Sequence, residues 1–196
     1  MIAYVQGLLV EKTPTYAVID CGGVGYMLHI SLNTYSSLPD VNNDCKLLTH
    51  LSIKDDAHTL HAFYSSAEKQ LFRLLISVSG IGPNTARLIL SSMKPEEVAS
   101  YISSGNAAML QTVKGIGTKT AQRIIIELKD KVLKTDLEIS STSTNFNNNN
   151  VEEALSALML LGFSKQVATK AIDGIIKKST TTLSVEELIK QTLKIL

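Results

Sequence analysis

The sequence predicts a multidomain α+β protein with an N-terminal β-barrel, a central all-α domain and a C-terminal three-helix unit. Three observations predict it. Residues 1–64 carry short apolar runs that alternate at period two between turn residues. From Ser66 onward the apolar spacing changes to that of helices. A polar, Asn-rich stretch then cuts off a final apolar segment. The expected boundaries are 1–64 for the barrel, 65–138 for the helical domain, 139–150 for a flexible linker and 151–196 for the last unit.

In the first segment, Met1–Val10 is apolar and Tyr16–Cys21 reads as a strand that ends in the turn Gly22-Gly23. Gly25–Ser31 alternates, with Tyr26, Leu28 and Ile30 on one face and Met27, His29 and Ser31 on the other. Leu32–Leu38 suits a short helical turn before Pro39. Lys46–Ile53 and Thr59–Tyr64 are two further strands, joined by the polar residues Lys54–His58. Five short strands with one small helix after the third predict a barrel of the OB type.

Helices are expected at Ser66–Val78, Asn84–Ser92, Pro95–Ser103, Ala107–Thr112 and Thr118–Lys134. The first places Leu71, Leu74, Leu75 and Val78 on one face. Pro95 followed by Glu96 and Glu97 is a helix start, since proline fits the first turn and acids favour its positive end. The segment EISSTSTNFNNNN lacks apolar periodicity and cannot offset its chain entropy, so it reads as a flexible linker. Beyond it, Val151–Leu161, Ser164–Lys177 and Val185–Leu196 predict three helices, a UBA-like arrangement. Gly162 suits the end of the first, and Ser184 with Glu187 forms a capping box for the third.

Hydrophobic residues make up 44% of the chain and charged residues 19%, which places it among globular proteins. The net charge of +1 hides an uneven distribution. Residues 1–64 hold three lysines against six acids, whereas residues 65–138 hold ten basic residues against seven acids. Cys21 and Cys45 have no CxxC spacing and read as reduced thiols. The N-terminus lacks the basic start of a signal peptide, and no apolar run reaches membrane-spanning length. A soluble, cytoplasmic protein without a membrane partner is expected.

The central domain contains an internal repeat at an offset of 35 residues. Ser77–Ala86 (SVSGIGPNTA) aligns with Thr112–Ala121 (TVKGIGTKTA), with Val, Gly, Ile, Gly, Thr and Ala in common. Each copy ends one helix and begins the next, the signature of a helix-hairpin-helix. The glycines Gly80, Gly82, Gly115 and Gly117 permit positive φ and a close backbone approach. The amides at the following helix start have no partner within the helix. With the helix dipole they form a concavity suited to phosphate. Thr85 and Thr118 lie at these helix starts, and Lys114, Lys119 and Arg123 add charge beside the second copy. Ile81 and Ile116 plug the hairpins into the core. Such a surface reads backbone rather than bases, so binding should be independent of sequence.

Other glycine-rich readings fit less well. A P-loop requires glycine before its lysine, where this chain has Thr118 before Lys119. A dinucleotide fingerprint requires a third glycine and a preceding strand. His29, His50, His58 and His61 fall in predicted strands or turns, and His58 and His61 point to opposite faces of one strand, which does not make a metal site. No nucleophile–base constellation is readable, so neither a cofactor nor a catalytic group is expected. Two alternatives remain open: a helix-hairpin-helix nuclease or glycosylase, and a scaffold that recruits proteins through its last three helices.

The whole chain resembles the RuvA family. The resemblance rests on Gly22-Gly23-Val24-Gly25-Tyr26, Thr49-His50, Asp55-Asp56-Ala57, Leu71-Phe72, Gly80-Ile81-Gly82-Pro83, Gly115-Ile116-Gly117 and Leu161-Gly162-Phe163. It implies a non-catalytic homotetramer or octamer that binds four-way (Holliday) DNA junctions in recombination and repair. It also implies recruitment of the hexameric ATPase RuvB, with the RuvC resolvase as a further partner. Asp55 and Asp56 match the family's acidic pin at the strand crossover. Leu158, Leu161 and Phe163 match its partner-facing surface. Two departures stand out: Asn84 and Thr118 occupy positions where the family tends to carry a basic residue, which removes charge from the DNA face.

Overall fold

The computed structural model describes residues 2–55, 57–140, 146–176 and 183–195. The first five strands are β1 (Tyr4–Lys12), β2 (Tyr16–Asp20), β3 (Gly25–His29), β4 (Asp44–Lys54) and β5 (Ala57–Phe63), with helix α1 (Leu32–Ser37) between β3 and β4. They close into a barrel in the order β1-β2-β3-β5-β4. The β3–β5 pairing is parallel and the others are antiparallel. This is the OB arrangement expected from the strand pattern. Alternate residues Val5, Leu9, Ala17, Ile19, Leu28 and Leu47 point inward and form the barrel core.

One local expectation is corrected. The polar stretch Lys54–His58 is not a five-residue loop, because β4 and β5 stay paired as far as Lys54 opposite Ala57. Ile53, Lys54, Ala57 and His58 are all exposed, so both faces of the hairpin lie in solvent at its tip and a polar run can continue the strands there, which is why composition overestimates the loop.

The central helices are α2 (Ser66–Ile76), α3 (Pro83–Ser92), α4 (Pro95–Ser104), α5 (Ala107–Gln111) and α6 (Thr118–Ser140). Their core includes Phe72, Leu75, Ile89, Leu90, Ile102 and Ile124, and it takes in Phe63 from the barrel's last strand. Barrel and helices therefore belong to one compact unit, Met1–Asp136.

Three contacts fasten α2 and α3 to the barrel. The Phe72 ring lies 4.8 Å from Phe63 between centroids. The fully buried Glu68 carboxylate accepts from the hydroxyls of Ser31 and Thr34 at the start of α1. Alternation alone places Ser31 on the outward face; its hydroxyl in fact caps α1 by accepting from the Thr34 amide at 3.0 Å. Arg87 of α3 donates from Nη1 to the Thr15 carbonyl at 3.0 Å and meets His29 Nδ1 at 3.3 Å.

Histidines gather at the same junction. His61 of β5 is the register partner of both His29 and His50. The rings of His61 and His50 lie 5.2 and 5.5 Å from that of Phe72. His61 is only 3% exposed, and its Nδ1 has no hydrogen-bond partner. Burial holds its pKa down to about 4, helped by the positive neighbours His29, Arg87, His50 and Lys54.

The second unit, Leu137–Leu196, contains α7 (Phe146–Leu160), α8 (Lys165–Ile176) and α9 (Val185–Leu193). Its core is Ala154, Leu158, Ala168, Ile172, Ile175 and Leu188. Gly162 ends α7 with a φ of 102°, and the amides of Gly162 and Phe163 donate back to the carbonyls of Met159 and Leu158. The expected capping box is present, with the Ser184 amide donating to Glu187 Oε2 at 3.0 Å and the Glu187 amide donating to Ser184 Oγ at 3.3 Å. Both helices flanking the expected linker run further than their apolar periodicity: α6 reaches Ser140 and α7 starts at Phe146. The rest of that linker, residues 141–145, lies outside the described residues.

Candidate nucleic-acid interface

The two repeat copies fold into matching turns. In the first, Val78 is buried after α2, its amide donating to the Leu75 carbonyl at 3.1 Å. The chain then reverses at Gly80, with φ of 90°, and the Ile81 amide returns to the Val78 carbonyl at 3.0 Å. In the second, Val113, Gly115 and Ile116 repeat the pattern, with φ of 91° at Gly115 and 3.1 Å from the Ile116 amide to the Val113 carbonyl. Ile81 and Ile116 are each 5% exposed. They anchor the turns in the core and so act on the site by holding the glycines beside them.

The glycines divide into two kinds, which corrects the expectation that all four serve positive φ. Gly80 and Gly115 lie in the left-handed region, where an L side chain is strained. Gly82 and Gly117 do not. Gly82 is extended, at φ −88° and ψ 169°, and caps α3 without a side chain. A Cβ built on either Gly82 or Gly117 meets nothing within 4 Å. Neither backbone strain nor internal packing requires glycine there, so the open space at each helix start is available to an outside group.

Each helix begins at that open space. The carbonyls of Gly82 and Gly117 accept from the amides of Ala86 and Ala121 at 3.0 Å, closing the first helical turns. The amides ahead of these have no intrahelical acceptor. In α3, proline at position 83 leaves those of Asn84 and Thr85; in α6 they are those of Thr118, Lys119 and Thr120. Thr118 is held by its hydroxyl, which donates to Gln111 Oε1 at 3.1 Å. Thr85 is half-buried in the first turn of α3, and Lys114 and Lys119 are exposed.

Arg123 is placed differently from its position in the sequence. It lies on α6, after the second turn, yet its Nη1 donates to the Ser79 carbonyl of the first turn at 3.0 Å. The same atom is the nearest neighbour of a Cβ built on Gly80, at 4.0 Å. The structure thus brings Arg123, carried by the helix that follows the second turn, onto the first turn.

The remaining expected residues lie apart. Asp55 is exposed in the turn between β4 and β5, and Asp56 lies outside the described residues. In the second unit Leu158 is fully buried and packs the core, so a partner cannot meet it from outside. Phe163 is half-buried against that core, and Leu161 is 60% exposed. Sequence reasoning missed Leu160, which is 90% exposed next to it. The signal was present: Met159, Leu160 and Leu161 are consecutive, and a helix cannot turn three successive side chains toward one core. Among the described residues no helix is long and apolar enough to cross a membrane, and no three His, Cys, Asp or Glu residues are grouped for a metal ion.

Comparisons agree with this architecture segment by segment. Residues 1–62 match the family model described as RuvA N terminal domain. Residues 72–130 match SAM-like Helix-hairpin-helix tandem, and residues 149–196 match RuvA, C-terminal domain. Among similar proteins, the Holliday junction branch migration complex subunit RuvA of Christiangramia forsetii is 49% identical over 194 residues, covering 99% of each chain. Its counterpart from Flavobacterium psychrophilum is 51% identical over 194 residues, and that from Cytophaga hutchinsonii 48% over 198, each again covering 99% of both chains. With three family models in register along the chain and relatives near half identity over almost its full length, the chain belongs to the RuvA family.

Proposed function

We propose that this chain binds four-way DNA junctions irrespective of sequence and is the DNA-holding subunit of a branch migration complex. The observation that carries this reading is the pair of matched glycine turns, each opening a helix at a glycine, Gly82 or Gly117, where an added Cβ would meet nothing within 4 Å. Two such cradles on one compact unit suit two phosphates of a DNA backbone. Lys114 and Lys119, both exposed, contribute positive charge around them. Junction selectivity is assigned to the acidic turn: Asp55 and Asp56 repel the closely spaced phosphates of intact duplex more than the splayed strands of a crossover.

The test compares binding of a four-way junction with binding of linear duplex of equal length, across a salt series. The protein is expected to prefer the junction. Replacing Asp55 and Asp56 together with Asn should raise duplex affinity more than junction affinity. That gain should fade as salt shortens the screening length to about 10 Å near 0.1 M. An unchanged junction-to-duplex ratio at low salt would make the acidic turn an ordinary solvated loop. Cleavage of the junction in Mg²⁺ by the protein alone would instead favour a nuclease.

The partner role is assigned to the second unit. Its exposed apolar residues Leu160 and Leu161 offer a docking surface for a RuvB-type hexameric ATPase, and the assembly around a junction is read as a tetramer or octamer that RuvC can also visit. A chain ending at Ser140 should keep junction binding and lose stimulation of the ATPase. Stimulation retained by the truncated chain would place the partner's surface on the first unit.

A further inference from the structure

We propose that Arg123 is a positioning residue for the first hairpin, although the helix that carries it belongs to the second. This rests on the phosphate-cradle reading and extends it to how the two cradles are held in register.

The first turn has few local means of fixing its conformation. Gly80 sits at a φ of 90° and brings no side chain to pack. The helix that follows begins at Gly82, which provides no side-chain cap. Asn84 brings no charge to that helix start. Against this, Arg123 reaches across 44 residues of sequence and donates to the Ser79 carbonyl, immediately before Gly80. A guanidinium suits that task, since its planar fork loses less freedom per bond than an ammonium on a flexible stem.

The bond has no counterpart on the other side of the repeat. Shifting by the 35-residue offset maps Arg123 onto Leu88 and Ser79 onto Lys114. Leu88 is an exposed hydrophobic residue that cannot donate. The second turn is steadied differently, by Thr118 bonded to Gln111. The two hairpins are therefore alike in backbone and unlike in support, and the first depends on the second.

Where Arg123 acts separates this proposal from the reading that its position in the sequence invites. A plain phosphate cation next to the second hairpin would lose its effect when the second cradle is blocked. A residue that positions the first turn loses its effect when the first cradle is blocked. The measurement is a pair of double-mutant cycles on junction affinity in the full chain. Arg123→Met is combined with Gly82→Val in one cycle and with Gly117→Val in the other.

Loss of one charge-assisted hydrogen bond should weaken junction binding by about tenfold in the otherwise unchanged chain. The loss should fall to about twofold beside Gly82→Val and stay near tenfold beside Gly117→Val. Amide hydrogen exchange without DNA should speed up at Ile81 and not at Ile116. The salt slope of binding should stay as it was, because no phosphate contact is removed. A slope smaller by about 0.9, the share of one phosphate contact, would overturn the proposal. So would coupling to Gly117 or equal losses in both glycine backgrounds. If Gly82→Val alone leaves junction binding intact, the cradle reading itself fails and takes this proposal with it.

Discussion

Valine at both Gly82 and Gly117 should remove most junction binding from a chain that still folds. A charge-assisted hydrogen bond from a backbone amide is worth about 1.5–3 kcal/mol. A branched side chain at the helix start keeps a phosphate from reaching those amides. Each single substitution should therefore weaken binding by roughly tenfold to a hundredfold, and the double variant by more than either.

The fold should survive because valine tolerates an extended backbone such as that of Gly82, and neither new Cβ meets an atom of the protein. A reduced capping preference is the main internal cost, about 1 kcal/mol at each helix start. Valine at Gly80 is the informative contrast: its φ of 90° strains any L side chain, so there stability should fall along with binding. Binding curves paired with thermal melts separate the two cases. If the Gly82→Val and Gly117→Val chains bind junctions as the parent does, the open space at the helix starts is not where phosphate sits.

Acid should loosen the attachment of the barrel to the helical domain, with His61 as the largest single cause. In an unfolded chain its imidazole titrates near 6.5; folded, burial and the nearby His29, Arg87, His50 and Lys54 hold it to about 4. The folded state thus resists a proton that the unfolded state accepts. Stability is complete above about pH 6.5 and is lost as the pH falls from there toward 4, by on the order of 2–3 kcal/mol. His29 and His50 are shifted in the same direction, chiefly by burial, and add to the trend.

Urea denaturation at pH 7.5 and at pH 4.5 measures the effect in the full chain. His61→Gln, which cannot take up a proton, should flatten most of the difference between the two pH values while costing some stability at pH 7.5. An equal acid loss in parent and variant would mean that other groups set the pH dependence.

Elements with a local cause were legible in the sequence. The strands announced themselves by alternation, the hairpins by a repeat of ten residues, the end of α7 by Gly162 and the start of α9 by Ser184 with Glu187. Each depends on residues a few positions apart, so periodicity and capping chemistry suffice to find it. Where the local signal was composition alone, it was less accurate, as in the polar run that continued β4 and β5 as far as Lys54 and Ala57.

The tertiary structure alone decided matters that join distant residues. It buried Glu68 under the hydroxyls of Ser31 and Thr34, aligned His61 with His29 and His50 on adjoining strands, and set Arg123 against Ser79. It also separated the strained glycines from the unstrained ones, and Leu158 from the exposed Leu160 and Leu161 beside it. The physical reason is common to all of them. A side chain's type and spacing set which backbone it favours, whereas its burial, charge state and partners depend on which segments the collapsed chain packs against it.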